Sequence, residues 1–236
     1  MLVKKFFTRF APSPSGHLHL GNAYSAMFAE RAARNQNGQF ILRIENIDQD
    51  RCRPEFEESI KMDLQWLGLD WEKPVRRQSD HLNDYQTALN MLDQKGLLYP
   101  CFCTRKEIRA EIAQTNRAPR NIESVYLDSI YPGTCRKFSS DERQSYLASG
   151  AAFALRLDLS KAMSSVKNLQ WLDRDQGVIT ARPEIFGDIV LARKDIPTSY
   201  HLSVTVDDNL QQIGLVTRGE DLRSATHIHR LLQELL

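Results

Sequence analysis

The chain has 236 residues, 42% hydrophobic and 26% charged, with a formal net charge of +1; this is an ordinary globular composition with ample chain for a core. The balance excludes a global field that draws the chain to nucleic acid, so any RNA contact must come from local patches. No apolar run is long enough to span a membrane, no signal-peptide core opens the chain, and four cysteines, two of them as Cys101-x-Cys103, are not a secreted disulfide framework; a reducing cytoplasm is the expected setting.

The first apolar run, Phe6 to Phe10, ends at the turn residues of "APSPSG" and predicts a short buried strand. An Ala-rich helix follows, with Ala23, Ala26 and Met27 on one face and Gly38 at the expected left-handed C-terminal position. His19, Gly21 and Asn22 then lie at its N-terminus, where unpaired N–H groups and the positive dipole end favour an anion. His17 and His19 taken singly are better explained as ordinary surface loop residues. "QFILRIE" predicts a second strand, which makes a strand–helix–strand unit whose ligands sit beyond the carboxyl ends of the strands.

Pro54 opens the next helix, with Phe56, Ile60, Leu64 and Leu67 as its buried stripe and Gly68 at its end. Another helix starts near Ser79-Asp80 and ends before Gly96. From about Leu98 to Glu184 the character changes. "IAQTNRAPRNIES" is a polar loop, Arg105, Lys106, Arg109, Arg117, Arg120, Arg136 and Lys137 tilt the region basic, and "FALRLDL" and "GVITARP" are strand-like. The expected organisation is residues 1–97 as the first half of an α/β domain, 98–184 as an insertion, and 185–236 as the second half. That last part carries a strand in "IFGDIVLARKD", a helix in "SYHLSVTVDD", a strand in "QQIGLVTRGED" and a helix in "SATHIHRLLQELL".

Five motifs in order, "RFAPSPSG" with "HLGN", "LRIENID", "YPCFCT", "SYHLSVTVDD" and "LVTRGEDL", resemble the catalytic domain of class I glutamyl-tRNA synthetases over nearly the whole chain. The resemblance implies a Rossmann-like α/β fold, ATP-dependent activation of L-glutamate with Mg²⁺ accompanying ATP, and a tRNA partner. His19-Leu20-Gly21-Asn22 stands at the family's His-x-Gly-His position, with Asn22 in place of the second histidine, able to donate to phosphate but not to carry charge. His19 and Asn22 are thus the implied catalytic residues. His19, Gly21, Asn22 and Glu220 are the implied ATP contacts, although Glu220-Asp221 could equally cap the following helix. The implied glutamate pocket is Arg9, Phe10, Ala11, Pro12, Ser13, Glu45, Tyr200 and Arg218. The chemistry agrees: two carboxylates call for two forked cations, Arg9 and Arg218, and the ammonium for the anion Glu45. A structural ion-pair set is the rival reading of Arg9, Glu45 and Arg218.

Cys101-x-Cys103 followed by Tyr131-x-x-x-Cys135 resembles the zinc pattern of glutamyl-Q tRNA(Asp) synthetases, which are shortened relatives. Three thiolates and a phenolate are the four ligands of a closed zinc site. Tyr126 is the alternative to Tyr131, free buried thiols are the bland reading, and Cys52 stands outside the pattern. The family's Lys-Met-Ser-Lys-Ser-type loop is absent; "KAMSS" at 161–165 precedes the strand–helix pair that the loop should follow. A truncated chain is therefore expected, with the ATP clamp beyond Leu236. The shortened relatives pass glutamate to the queuosine base in the anticodon of tRNA(Asp), and that reaction is the one expected, from a monomer. A fragment of an ordinary glutamyl-tRNA synthetase charging tRNA(Glu), and a non-catalytic zinc and RNA-binding module, are the alternatives.

Overall fold

The structure is a computed structural model that describes residues 6–115 and 130–236. Arg117, Arg120 and Tyr126 lie outside the described residues. Contacts divide the chain into two units, one of residues 1–84 with 203–223, the other of residues 85–202 with 224–236.

The first unit is built on three parallel strands, β1 (Phe7–Phe10), β2 (Gln39–Ile44) and β3 (Glu72–Arg77), in the order β1-β2-β3. β2 lies between its two neighbours and is almost continuously apolar, as a strand covered on both faces must be. Helix α1 (Leu20–Arg34) lies close on β1, because Ala26, Ala29 and Ala33 are small and buried and the Thr8 hydroxyl donates to the Ala29 carbonyl at 2.7 Å. Helix α2 (Pro54–Trp66) adds Ile60 and Leu64 to the core of Phe10, Phe40, Leu42 and Ile44. Each such fully buried aliphatic side chain contributes about 1.5–3 kcal/mol relative to exposure.

β3 escapes the sequence reading because "EKPVRR" shows no apolar alternation. Pro74 and three cations suit a strand with one open side, where a ladder donor is dispensable and charge deters further pairing. Gly38 is not the left-handed residue after α1. Asn37 takes that conformation, with φ 50°, and Gly38 is needed because a Cβ there would strike the Phe6 carbonyl. The strand expected in "QQIGLVTRGED" is reduced to one parallel bridge, Phe7 with Ile213. Gly214 and Leu215 both donate to the single Phe7 carbonyl, and the Thr217 carbonyl accepts from the Arg9 side chain, so no ladder continues. Arg218 consequently sits in a loop and not at a strand end.

The second unit begins within helix α3 (Leu82–Gln94) and carries an antiparallel sheet. Its strands are β4 (Leu98–Cys101), β5 (Ala154–Leu157) and β8 (Val190–Ala192), and a hairpin of β6 (Gln170–Asp173) and β7 (Gly177–Thr180) stands apart. β8 is the strand expected in "IFGDIVLARKD", but it pairs with β5 and not with the parallel sheet. Helix α4 (Arg105–Thr115) includes Ile112–Thr115, which the sequence assigned to a loop; the remainder of that loop lies outside the described residues. Helices α5 (Ser140–Ala148) and α6 (Leu159–Ser164) follow, and "KAMSS" falls on α6 and the residue after it. Helix α7 (Tyr200–Leu210) begins in this unit and ends in the first, and α8 (Ala225–Leu235) buries Ile228, Leu231, Leu232 and Leu235. Among the described residues no helix is long and apolar enough to cross a membrane.

Candidate active site and cysteine cluster

At the carboxyl ends of β1 and β2 the chain turns into two loops that hold each other. The Glu45 N–H donates to the Pro12 carbonyl at 3.0 Å, and the Arg53 N–H to the Pro14 carbonyl at 2.9 Å. His17 braces the loop against α2 through a 3.0 Å contact to the Ser59 hydroxyl and an edge-to-face contact with Phe56. Phe10 sends its side chain into the core, Ala11 and Pro12 are half-buried, and Ser13 is exposed.

His19 caps α1. Its Nδ1 accepts from the Gly21 N–H at 3.1 Å, and the Asn22 Oδ1 accepts from the His19 N–H at 3.1 Å. This reciprocal box fixes the His19 and Asn22 side chains at the helix start, and His19 and Gly21 stay exposed there. Asn22 thus spends its carbonyl on the cap and keeps its amide donors on the side away from it.

Below this loop lies a buried charge cluster. Arg9 donates from Nε to Asp208 at 3.1 Å and from Nη1 to the Thr217 carbonyl at 3.0 Å. Arg43, which the sequence reading passed over, is wholly buried. Its Nη2 donates to Asp208 at 2.5 Å and its Nε to Gln211 at 2.7 Å. Glu45 is buried beside it, with Oε1 3.7 Å from Arg43 Nη1, and neither of those two atoms has a hydrogen-bond partner among the described residues. Burial pushes the Glu45 carboxyl up to about 7 against the pull of Arg43 and Arg9, while Asp208 and Asp207 push it further up. Asp208 is also opposed by burial, yet Arg9 and Arg43 outweigh it and hold its carboxyl below the ordinary range. Arg43 stands out in the sequence only as a charge within the apolar run of β2, and its pairing with Asp208 leaves no local signal.

Arg218 donates to the Leu222 carbonyl at 3.3 Å, and Glu220 accepts from Arg223 at 3.3 Å within the short turn that precedes α8. Tyr200 belongs to the second unit, where its ring meets His201 and His229.

The second unit also holds the sulfur cluster. The Sγ atoms of Cys101, Cys103 and Cys135 all lie within 4.8 Å of one another. The Tyr131 hydroxyl is 3.6 Å from Cys103 Sγ and accepts from the Cys135 N–H at 2.8 Å. Burial pushes the Cys103 thiol up to about 12. Burial works the same way on Cys135, but the Tyr131 hydroxyl and the Phe102 N–H outweigh it and leave that thiol below its usual range. Three sulfurs and one phenol oxygen converge as the donor set of a tetrahedral thiophilic cation does. Asp188 fastens the cluster to its sheet by accepting from Tyr99 at 2.6 Å and Arg136 at 2.9 Å, the latter next to Cys135. Cys52 stays apart, in the first unit.

Residues 5–236 match the family model of class I tRNA synthetases (E and Q), catalytic domain. The chain belongs to this family. It is 44% identical over 234 residues to a glutamyl-Q tRNA(Asp) synthetase of Rhodobacter capsulatus, covering 97% of this chain and 82% of that protein. It is 38% identical to a glutamate–tRNA ligase of Aquifex aeolicus, over 99% of this chain but 47% of the ligase. A crystal structure of a glutamate tRNA ligase from Elizabethkingia meningosepticum in complex with its amino acid superposes with a TM-score of 0.78 at 28% identity. That match covers 98% of this chain and 47% of that one. The chain thus spans about half the length of the glutamate–tRNA ligases it matches. As a class I tRNA synthetase catalytic domain it has the α/β fold with a parallel sheet that its motifs predicted, and a cysteine cluster able to hold a metal.

Proposed function

We propose that the chain activates L-glutamate with ATP and transfers the glutamyl group to the queuosine base in the anticodon of tRNA(Asp). The observation that carries this reading is the 44% identity that extends over 82% of the Rhodobacter glutamyl-Q tRNA(Asp) synthetase. The second reading, an ordinary glutamyl-tRNA synthetase, is favoured by the 38% identity to the Aquifex ligase. Both use the same first half-reaction and differ in where the ester forms.

In the proposed reaction the α-carboxylate of glutamate attacks the α-phosphate of ATP, giving glutamyl-adenylate and pyrophosphate. Arg9 and Arg218 would face carboxylates, and ionised Glu45 the ammonium, with Ser13 at the loop that separates them from the helix start. The α1 N-terminus with His19, Gly21 and Asn22 offers N–H and imidazole donors to phosphate oxygens, so charge that builds on the phosphate meets groups already in place. Mg²⁺ bound to ATP would neutralise part of that phosphate charge. Positioning supplies much of the remaining rate. No nucleophile from the protein is required. Cys101, Cys103, Cys135 and Tyr131 would hold a structural Zn²⁺ that keeps the cysteine loops folded.

Glutamate-dependent exchange of pyrophosphate into ATP tests the first half-reaction, with glutamine in parallel. Exchange with glutamate and little with glutamine is expected; equal exchange with the two amino acids would overturn the reading.

A further inference from the structure

Three neighbouring parallel strands each contribute one arginine, Arg9 from β1, Arg43 from β2 and Arg76 from β3, and all three meet two consecutive aspartates of α7. The division of labour is distinct. Asp207 accepts from Arg76 at 2.7 Å and from Gln78 at 2.8 Å. Asp208 accepts from Arg9 at 3.1 Å on the same oxygen that receives Arg43 at 2.5 Å. Arg43 in turn reaches Glu45, so Arg9, Asp208, Arg43 and Glu45 form one chain of alternating charge.

A buried ion cluster is a poor stabiliser, since desolvation cancels most of its attraction and packed apolar groups do as well. What it does supply is fixed direction. Arg9 is buried and could reach a ligand productively in few orientations, and Asp208 holds it along the Nε edge. We infer that Asp208 is a positioning residue of the glutamate pocket, clamping Arg9 and Arg43 side by side and thereby setting the orientation of Arg9 and the charge state of Glu45. The inference rests on the glutamate reading given above.

It has a signature that a merely structural role lacks. The charged groups that face Glu45 are Arg9 on β1, Arg43 on β2 and Asp207 and Asp208 on α7. An ammonium ligand needs Glu45 ionised, so affinity for glutamate should climb with pH and level off above the carboxyl's midpoint. Removing the Asp208 charge makes Glu45 easier to ionise and lowers that midpoint. Removing the Arg43 charge raises it. Two substitutions in one salt bridge therefore move one midpoint in opposite directions, whereas loosened packing has no reason to move it with the sign of the deleted charge.

The test is calorimetric binding of L-glutamate across pH to the unmodified chain, Asp208→Asn, Asp208→Glu and Arg43→Gln, with the Glu45 carboxyl followed by ¹³C NMR without ligand. Asp208→Asn should weaken glutamate about tenfold or more and shift the midpoint down; Asp208→Glu should recover both in part; Arg43→Gln should shift it up. If Asp208→Asn does not fold, the Arg43→Gln arm still decides the matter. An unmoved Glu45 midpoint in either charge-deleting variant would overturn the clamp. Failure of the unmodified chain to bind glutamate would instead overturn the pocket reading, and the ligand-free NMR midpoints still judge the clamp separately.

Discussion

Replacing Glu45 by Gln should stabilise the folded chain at neutral pH and not at acid pH. The carboxyl, ordinarily near 4.5, titrates at about 7 in the fold because it is buried. That displacement is about 3 kcal/mol of preference for the protonated form. The sign follows from proton counting. Below the ordinary value both states are protonated and the group contributes nothing to the pH dependence. Between 4.5 and about 7 the unfolded chain releases the proton while the folded chain keeps it, so stability falls as pH rises. Above that window both states are ionised and the full cost remains. Glutamine has no proton to lose and escapes it. Urea unfolding of the two proteins from about pH 5 to about pH 8 should therefore show the variant gaining on the unmodified chain by up to about 3 kcal/mol as pH rises. A difference constant across that range would mean that Glu45 ionises as an exposed carboxyl does, and the argument from its burial would be wrong.

The purified chain should carry about one zinc per molecule; an absence of metal with all thiols freely titratable would refute the site, and Cys135→Ser should lose the metal. Asp188→Asn should loosen the cysteine loops by about 1–3 kcal/mol, because it weakens a buried acceptor shared by Tyr99, Arg136 and the Leu159 N–H; metal release measured with a chelator should quicken. Glutamine should bind about 2–4 kcal/mol more weakly than glutamate, since the amide leaves a cation short of its partner, and calorimetry with equal affinities would contradict that. His19→Ala removes the α1 cap and a phosphate donor, and should cost about 1 kcal/mol of stability while abolishing pyrophosphate exchange and sparing glutamate affinity.

The strand-to-helix turn was legible because local chemistry specifies it: "APSPSG" breaks β1, and His19 with Asn22 completes a capping box within four residues. Helices α2 and α3 were legible for the same reason, through Pro54 at one start and the left-handed Gly68 and Gly96 at the two ends. β3 was not, because an open edge strand is selected for charge and proline and carries no apolar period. Pairing partners were not either. Nothing in "IFGDIVLARKD" says whether β8 joins a parallel or an antiparallel sheet, and that choice is made by contacts with β5 distant in sequence. The cysteine spacing pointed to a cluster, and the fold brings its three sulfurs together. Arg43 and Asp208 were opaque, since a long-range ion pair between residues 165 positions apart leaves no local pattern.

The central claim concerns the destination of the glutamyl group, and mapping the ester tests it most directly. Labelled glutamate, ATP and the protein are offered queuosine-containing tRNA(Asp) and, separately, tRNA(Glu). The charged RNA is then cleaved to separate the anticodon nucleoside from the 3′-terminal adenosine. Label on the queuosine nucleoside of tRNA(Asp), with none on either 3′ end, is the result this account predicts; label on the 3′-terminal adenosine of tRNA(Glu) would contradict it.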